Sequence, residues 1–211
     1  MTAAVALTLP RRMVRLPVDE FGRVVPFFVA WVDGKPDHRI MDGEKLNAAI
    51  RARLCLLCGQ PLGARGTFAI GPMCGVNRLS AEAPHHLDCA TYSVQACPFL
   101  VNPDRRRRES RMPEGITDPG GEMIRRNPGV TLLWTTKRWA LELDSGGVLH
   151  RLGEPESVSW WAEGRPATRA EVLASIESGL PALQELADAD GPLAVVRLGA
   201  MTAALLALVP A

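Results

Sequence analysis

The sequence predicts an α+β fold: an N-terminal β-hairpin and helix, a cysteine-rich segment, an antiparallel β meander and C-terminal helices. Three observations support this prediction. Short apolar runs separated by turn residues occur around residue 30 and again between residues 130 and 161, as in hairpins and meanders. Helix-start signals stand at Asp42 and Thr168. Hydrophobic residues make up 47% and charged residues 22% of the chain, which favours a packed core.

Local signals define the N-terminal hairpin and helix. Residues 24–32 form an apolar, β-rich run, residues 33–34 are an Asp-Gly turn signal, and residues 38–41 return as a strand. Asp42 suits a helix N-cap, and the apolar side chains of residues 44–53 fall on one helix face. This helix leads the chain directly into its first cysteine.

The C-terminal part begins with a predicted meander of short β-like runs. A capping box at Thr168 and Glu171 then opens a helix that we expect to end at Gly179, because glycine favours helix ends. Pro181 and Pro192 suit the first positions of a second and a third helix. The predicted strands are residues 130–136, 139–143, 148–152 and 158–161.

We expect these parts to pack as one compact unit with four segments. A loose tail at residues 1–13 opens the first segment. The boundaries are residues 1–53 for the hairpin and helix, 54–100 for a metal module, 101–128 for a loop rich in Arg and Pro, and 129–211 for the meander and C-terminal helices.

Two pairs of residues form a metal-ligand pattern. Cys55 and Cys58 are separated by two residues, a spacing at which one turn directs both sulfurs to a single ion, and Gly59 permits the tight backbone. His86 and Cys89 stand at i and i+3 in a helix predicted to start near residue 84, so they share a helix face. The resulting C-x2-C-x27-H-x2-C pattern predicts one structural zinc ion held by these four side chains.

Three other residues compete for the ligand roles. His85 and Cys89 are also on one helix face, so His85 can replace His86 as the ligand. Cys74 can join from a hairpin that we expect residues 67–70 and 73–78 to form. Cys97 lies eight residues after Cys89, about 12 Å along a helix, which favours a buried thiol over a ligand.

A cysteine knuckle, a hairpin and a helix whose first turn carries two ligands resemble the treble-clef zinc fold over about residues 54–98. That resemblance implies a structural zinc ion, but treble clefs serve nucleic-acid binding, protein binding and nuclease activity alike. The whole chain also resembles uncharacterised bacterial and phage proteins, which implies no activity.

The uneven distribution of charge along the chain indicates the kind of partner that the protein binds. The net charge of +1 divides into +7 over residues 1–138 and −6 over residues 139–211. Arginines cluster in the predicted loop and suit phosphate contacts, although a solvated loop with acidic neighbours has the same composition. The candidate nucleic-acid-binding residues are Arg105, Arg106, Arg107, Arg108, Arg125 and Arg126.

These observations favour a zinc-stabilised, non-catalytic binding protein with DNA or RNA as partner; a protein-interaction or regulatory factor is the alternative. A metal-dependent nuclease of the His-metal-finger type is a third hypothesis, supported by His85 beside His86 alone. No catalytic motif of the deaminase, zincin, Walker or GxSxG kind is present. No secretory signal or membrane span is apparent, so we expect a cytoplasmic protein without a membrane partner.

Overall fold

The computed structural model describes residues 7–104, 127–144 and 147–211. It has both helices and antiparallel sheets, which confirms the predicted α+β class. The strands are β1 (Val29–Val32), β2 (Lys35–Met41), β3 (Gly66–Ile70), β4 (Leu79–Ser80), β5 (Thr131–Thr136), β6 (Trp139–Asp144), β7 (Gly147–Leu152), β8 (Ser157–Ala162) and β9 (Arg165–Pro166). The α-helices are α1 (Gly43–Ala52), α2 (Pro72–Asn77), α3 (Leu87–Ala96), α4 (Arg169–Asp190) and α5 (Pro192–Leu206).

The predicted N-terminal hairpin and helix are both present. Strands β1 and β2 pair antiparallel across Asp33 and Gly34, whose φ angles of 49° and 76° are those of a tight hairpin turn. The side chain of Asp42 accepts hydrogen bonds from the backbone N–H groups of Glu44 and Lys45 and so caps α1. Helix α1 ends at Arg53, whose left-handed backbone turns the chain toward the cysteines.

The four C-terminal β runs form strands, but the predicted single meander is wrong. Strand β5 pairs with β3 on one side and β8 on the other, giving the sheet order β3-β5-β8-β9. The β6–β7 hairpin joins β4 in a separate sheet of order β4-β7-β6. All six residues of β5 are buried, so this strand takes neighbours on both edges as a central strand does.

The hairpin predicted for residues 67–70 and 73–78 is also wrong, because its second half is helix α2. Gly71 precedes the helix and Pro72 occupies its first turn, where the missing proline N–H costs no hydrogen bond. Met73 and Val76 lie three residues apart and bury their side chains in the main core. Arg78, with a left-handed φ of 53°, ends the helix.

Helix α4 continues through the point where the sequence predicts a break. It runs without interruption from Arg169 to Asp190, with Pro181 inside it, and Thr168 caps it together with Glu171 as predicted. Gly179 lies against Met73 of α2: a Cβ there would stand 2.8 Å from the Met73 side chain. This close packing gives Gly179 a role within the helix, in place of the helix end that the sequence predicts.

The main core lies between the β3-β5-β8-β9 sheet and helices α2, α4 and α5. Phe68, Leu132 and Trp134 supply the sheet side, and Ile176 and Leu205 supply the helix side. Burial of such apolar side chains stabilises a domain by about 1.5–3 kcal/mol each. Because Thr67 of β3 pairs with His85, this core supports the segment that carries His86 and Cys89.

The segment expected to be a loose tail is anchored at Met13, although Leu7, Thr8, Arg11 and Arg12 are exposed. A short 3-10 turn at Arg11–Met13 buries Met13, whose side chain is 2% exposed, against Cys55, Cys58 and Cys89. No helix within the described ranges is long and apolar enough to cross a membrane.

Candidate metal centre

The first two cysteines lie in a tight turn after α1. Cys55 N–H donates to the carbonyl of Gln60, and Gly59 N–H donates to the carbonyl of Cys55, both at 2.8 Å. Gly59 has a φ of 71°, and a Cβ at this position would stand 2.8 Å from the ring of Phe27. Only glycine meets both conditions without strain, so the turn that presents both sulfurs depends on it.

The second pair comes from the chain that enters α3. The segment is anchored one residue earlier, where His85 and Thr67 exchange two backbone hydrogen bonds of 2.8 and 2.9 Å. His86 is the N-cap residue of α3, with φ −68° and ψ 148°, and Cys89 lies in the first turn. The prediction that both ligands share a helix face is therefore wrong for His86, which reaches the site from extended backbone.

These residues bring four ligand atoms together in a compact group. The three sulfurs of Cys55, Cys58 and Cys89 and one ring nitrogen of His86 all lie within 4.8 Å of one another. The Nδ1 atom of His86 is 3.4 Å from the Cys58 sulfur. Tetrahedral zinc, with bonds of about 2.3 Å to sulfur and 2.0–2.1 Å to nitrogen, holds its ligand atoms roughly 3.5–3.8 Å apart. The group can therefore close around one metal ion with little movement.

Hydrogen bonds orient the ligands. The Nε2 atom of His86 is 3.1 Å from the carbonyl oxygen of Pro61, which can only accept, so Nε2 carries the proton and the Nδ1 lone pair faces the sulfurs. The backbone N–H of His86 donates to the Cys55 sulfur at 3.3 Å. A carbonyl that fixes the tautomer of a histidine and an N–H directed at a thiolate are typical surroundings of a metal site.

The shifted pKa values of the three cysteines also favour the binding of a cation. Hydrogen bonds from Cys58 and Cys89 lower the pKa of Cys55, so that one thiolate forms readily. The hydrogen bond to Cys55 raises the pKa of Cys58 to about 11, and the same kind of contact with Cys55 raises the pKa of Cys89 further. A second and third thiolate are therefore disfavoured beside the first, because like charges accumulate in a buried site. A bound divalent cation would offset that accumulation.

The alternate ligands lie outside this group. His85 is 3% exposed, and its Nδ1 has no hydrogen-bond partner among the described residues. Its imidazole is close enough to Cys55 to contribute to the lowered pKa of that thiol. Cys74 is exposed on α2, and Cys97 is the C-cap residue of α3. The arginines at 105–108 and 125–126 lie outside the described residues.

A groove of about 1030 Å³ borders the metal centre and includes residues that the sequence analysis did not single out. Arg12 contacts Asp88 at 2.9 Å, and Gln60 Nε2 donates to the Arg12 carbonyl at 3.1 Å. The i, i+3, i+4 and i+7 spacing of polar residues along α3 was the available signal. The lining residues are Thr8, Leu9, Pro10, Arg11, Arg12, Pro61, Leu62, Gly63, Ala64, Arg65, Thr67, His86, Leu87, Asp88, Thr91, Tyr92, Gln95 and Thr135.

Comparison with protein-family models, curated proteins and solved structures finds no match to this chain. Function is therefore inferred from the geometry of the chain's own residues.

Proposed function

We propose that the protein is a zinc-stabilised, non-catalytic binding protein whose partner is nucleic acid. The observation that carries the zinc part is the buried group of three sulfurs and one imidazole nitrogen within 4.8 Å. A Cys3His donor set suits zinc, since thiolate and imidazole are its preferred protein ligands. Four protein ligands fill a tetrahedral shell and leave no position for a reactive water, as in structural sites.

We infer a treble-clef-like module with an altered hairpin. The cysteine turn, the strand β3 and the ligand-bearing helix α3 follow one another in the order of that fold. Helix α2 stands where the second hairpin strand is expected, and Thr67 of β3 pairs with His85. None of the five cysteines, all of which the structure describes, forms a disulfide, which is consistent with the cytoplasm, where reduced cysteine is the normal state.

The nucleic-acid part of the proposal rests on charge. Residues 1–138 carry a net charge of +7, and the groove beside the metal centre is lined by three arginines and one aspartate. Guanidinium groups bind phosphate oxygens through paired hydrogen bonds, and such contacts supply most of the affinity of nonspecific nucleic-acid binding. The further arginines that we propose as phosphate contacts are Arg105, Arg106, Arg107, Arg108, Arg125 and Arg126.

Metal analysis and a binding titration test the two parts separately. Protein purified without added metal should contain about one zinc ion per chain, and a well-folded, metal-free protein would contradict the zinc assignment. Fluorescence anisotropy of labelled oligonucleotides should show binding that weakens linearly in log salt. Replacement of residues 105–108 by serine should reduce that slope by as much as about 4. Absence of binding at low salt would refute the nucleic-acid part.

A protein-interaction factor is the second candidate, because one face of α5 is apolar and exposed. Leu193 is 77% exposed and Val196 is 72% exposed, and Arg197 is the one charged residue of this helix. Exposed apolar patches mark interaction sites more often than chance. The other exposed apolar residues of this face are Gly199, Ala200, Ala203, Ala204 and Leu206. Sedimentation or pull-down with Val196→Glu as the negative control tests this candidate.

A nuclease remains the third hypothesis, and the position of His85 gives it no support. A general-base histidine must reach a water molecule and a phosphate, whereas His85 is 3% exposed and interacts with the Cys55 thiol. Metal-dependent cleavage of plasmid or oligonucleotide substrate is the direct measurement.

A further inference from the structure

We propose that the groove beside the metal centre, lined by α3, residues 8–12 and residues 61–65, binds a single strand of nucleic acid. This proposal rests on the proposed function, and it names both the class of nucleic acid and the surface. The lining residues of the groove all belong to the part of the chain that the structure describes.

The groove is open and long enough to contact an extended ligand. Its volume of about 1030 Å³ is slightly above the range of roughly 300–1,000 Å³ for pockets that enclose small organic ligands. One wall is the face of α3 from Asp88 to Gln95, which is about 10 Å long at 1.5 Å per residue. A recognition helix must project from the protein surface to enter the major groove of a duplex. Helix α3 instead forms a wall of a groove in the protein, which favours a single strand as the ligand.

The charge of the groove suits a phosphodiester backbone. Arg11 is exposed and has no ion-pair partner among the described residues. Arg12 forms an ion pair with Asp88, and Arg65 forms one with Glu156, but both arginine side chains remain about half exposed. Three arginines against one lining carboxylate leave an excess of positive charge where a strand would lie.

One aromatic ring stands among these charges. Tyr92, the single tyrosine of the chain, lines the groove and is half-buried against the hydrophobic residues around the cysteines. A nucleobase can stack on such a ring only when the face of the base is free. The bases of a single strand have free faces, whereas the paired bases of a duplex are stacked on one another. Thr8, Thr91 and Gln95 add neutral donors for sugar and phosphate oxygens.

The metal centre holds the walls of the groove together. His86 is both a candidate ligand and a lining residue, and its Nε2 bonds to Pro61 of the opposite wall. Gln60, next to the cysteine turn, bonds to the Arg12 carbonyl of the third wall. Loss of the ion would therefore separate the surfaces that present the arginines and Tyr92.

The test is anisotropy with a fluorescent eight-nucleotide oligo(dT) strand and a hairpin whose stem is a stable duplex of at least eight base pairs, over a salt series with zinc-loaded full-length protein. Wild type should bind the single strand at least about tenfold more tightly than the duplex. Arg11→Ser should weaken binding and lower the salt slope by about 0.7, the value expected for one contact to a single strand. Tyr92→Leu should weaken binding by about tenfold without changing the slope, since stacking releases no counterions. Arg197→Ser, which removes an exposed arginine of α5, is the matched control and should bind as wild type does.

Each outcome bears on one of the two proposals. If wild type binds but Arg11→Ser and Tyr92→Leu both bind equally well, the groove is not the site, while the nucleic-acid function stands. Tighter binding of the duplex also overturns the single-strand proposal. Absence of binding to either probe refutes both. Zinc content and melting temperature verify that each variant is folded, and Arg11→Ser alone decides if Tyr92→Leu does not fold, because Arg11 is exposed.

Discussion

His86 joins the cysteine group to the loop that follows it: its Nδ1 lies 3.4 Å from the Cys58 sulfur, and its Nε2 lies 3.1 Å from the carbonyl oxygen of Pro61. One ring thus serves as a candidate ligand and as a link between two segments that are 25 residues apart in the chain. The neighbouring His85 is held by backbone hydrogen bonds to Thr67 of β3, and its imidazole contributes to the lowered pKa of Cys55. The two adjacent histidines therefore have separable roles.

The first prediction concerns these two histidines. His86→Ala should lower zinc affinity by at least about a hundredfold, because it removes one of four donors and the hydrogen bond that orients it. His85→Ala should retain one zinc ion per chain, with an affinity loss within the roughly 10–100-fold range of residues that support ligands. Competition with a chromophoric chelator measures both affinities. A larger loss of zinc affinity in His85→Ala than in His86→Ala would assign the ligand role to His85.

The second prediction couples the metal to folding. Cys58→Ser should lose zinc and several kcal/mol of stability, since the binding free energy of a structural ion contributes to folding. At about 2–4 °C per kcal/mol for a chain of this size, the melting temperature should fall by roughly 10 °C. Cys74→Ser is the matched control, because Cys74 is exposed and lies outside the ligand group. Equal melting temperatures for wild type and Cys58→Ser would mean that the ion does not stabilise the fold.

Local signals account for what the sequence predicts well. The Asp42 cap, the Asp33-Gly34 turn and the capping box at Thr168 depend on neighbouring residues only, and the structure contains all three. The C-x2-C spacing of the first ligand pair and the H-x2-C spacing of the second pair are local signals of the same kind. Such features are visible in sequence because each needs one short segment to adopt one conformation.

The features that the sequence does not predict depend on contacts between distant segments. Strand β5 pairs with β3, more than 60 residues earlier, and no short-range pattern encodes that choice over the adjacent β6. Helix α2 forms because Met73 and Val76 bury against the main core, and Gly75 lets Leu132 and Leu205 approach its Cα closely. Helix α4 contains Pro181, whose breaking tendency is overcome by packing on both sides of it.

The third prediction is a pH dependence at the start of α4. Hydrogen bonds from the side chain of Arg165 and from Thr168 lower the pKa of Glu171 from 4.5 to about 2. A carboxylate whose pKa is lower in the folded than in the unfolded protein stabilises the fold at pH values above the unfolded pKa. This contribution is therefore complete above pH 4.5 and is lost as the pH falls through 2. Glu171→Gln should therefore be less stable than wild type at pH 7. The free energies of unfolding of the two proteins should become equal as the pH approaches 2.

Denaturant unfolding of wild type and Glu171→Gln at pH 7, 4.5, 3 and 2 measures the difference. Acid would release a bound metal from both proteins alike, so the difference between their free energies of unfolding reports the carboxylate alone. Glu177→Gln is the control on the same helix, since Glu177 is exposed and has no ion pair within the described ranges. If the difference in free energy of unfolding between wild type and Glu171→Gln stays constant down to pH 2, the lowered pKa of Glu171 is not its cause.

The fourth prediction links the sheet to the metal centre through Gly66, the first residue of β3. A Cβ at Gly66 would stand 2.7 Å from the Cβ of Pro84 and 3.1 Å from the ring of Trp139. The proline ring cannot rotate away, and it lies two residues before His86. Gly66→Ala should therefore displace this segment, destabilise the fold by about 1–3 kcal/mol and weaken zinc binding in parallel.

Gly63→Ala is the matched control, because Gly63 is exposed in the loop that precedes β3 and a Cβ there would meet nothing within 4 Å. Denaturant midpoints give the stability of both variants, and chelator competition gives their zinc affinity. Loss of stability in Gly66→Ala with unchanged zinc affinity would show that the ligand segment tolerates movement of Pro84. Equal values for both glycine variants would contradict the close contact itself. A parallel loss confined to Gly66→Ala would establish that the position of His86 depends on the β3 strand, since no ligand atom is altered by the substitution.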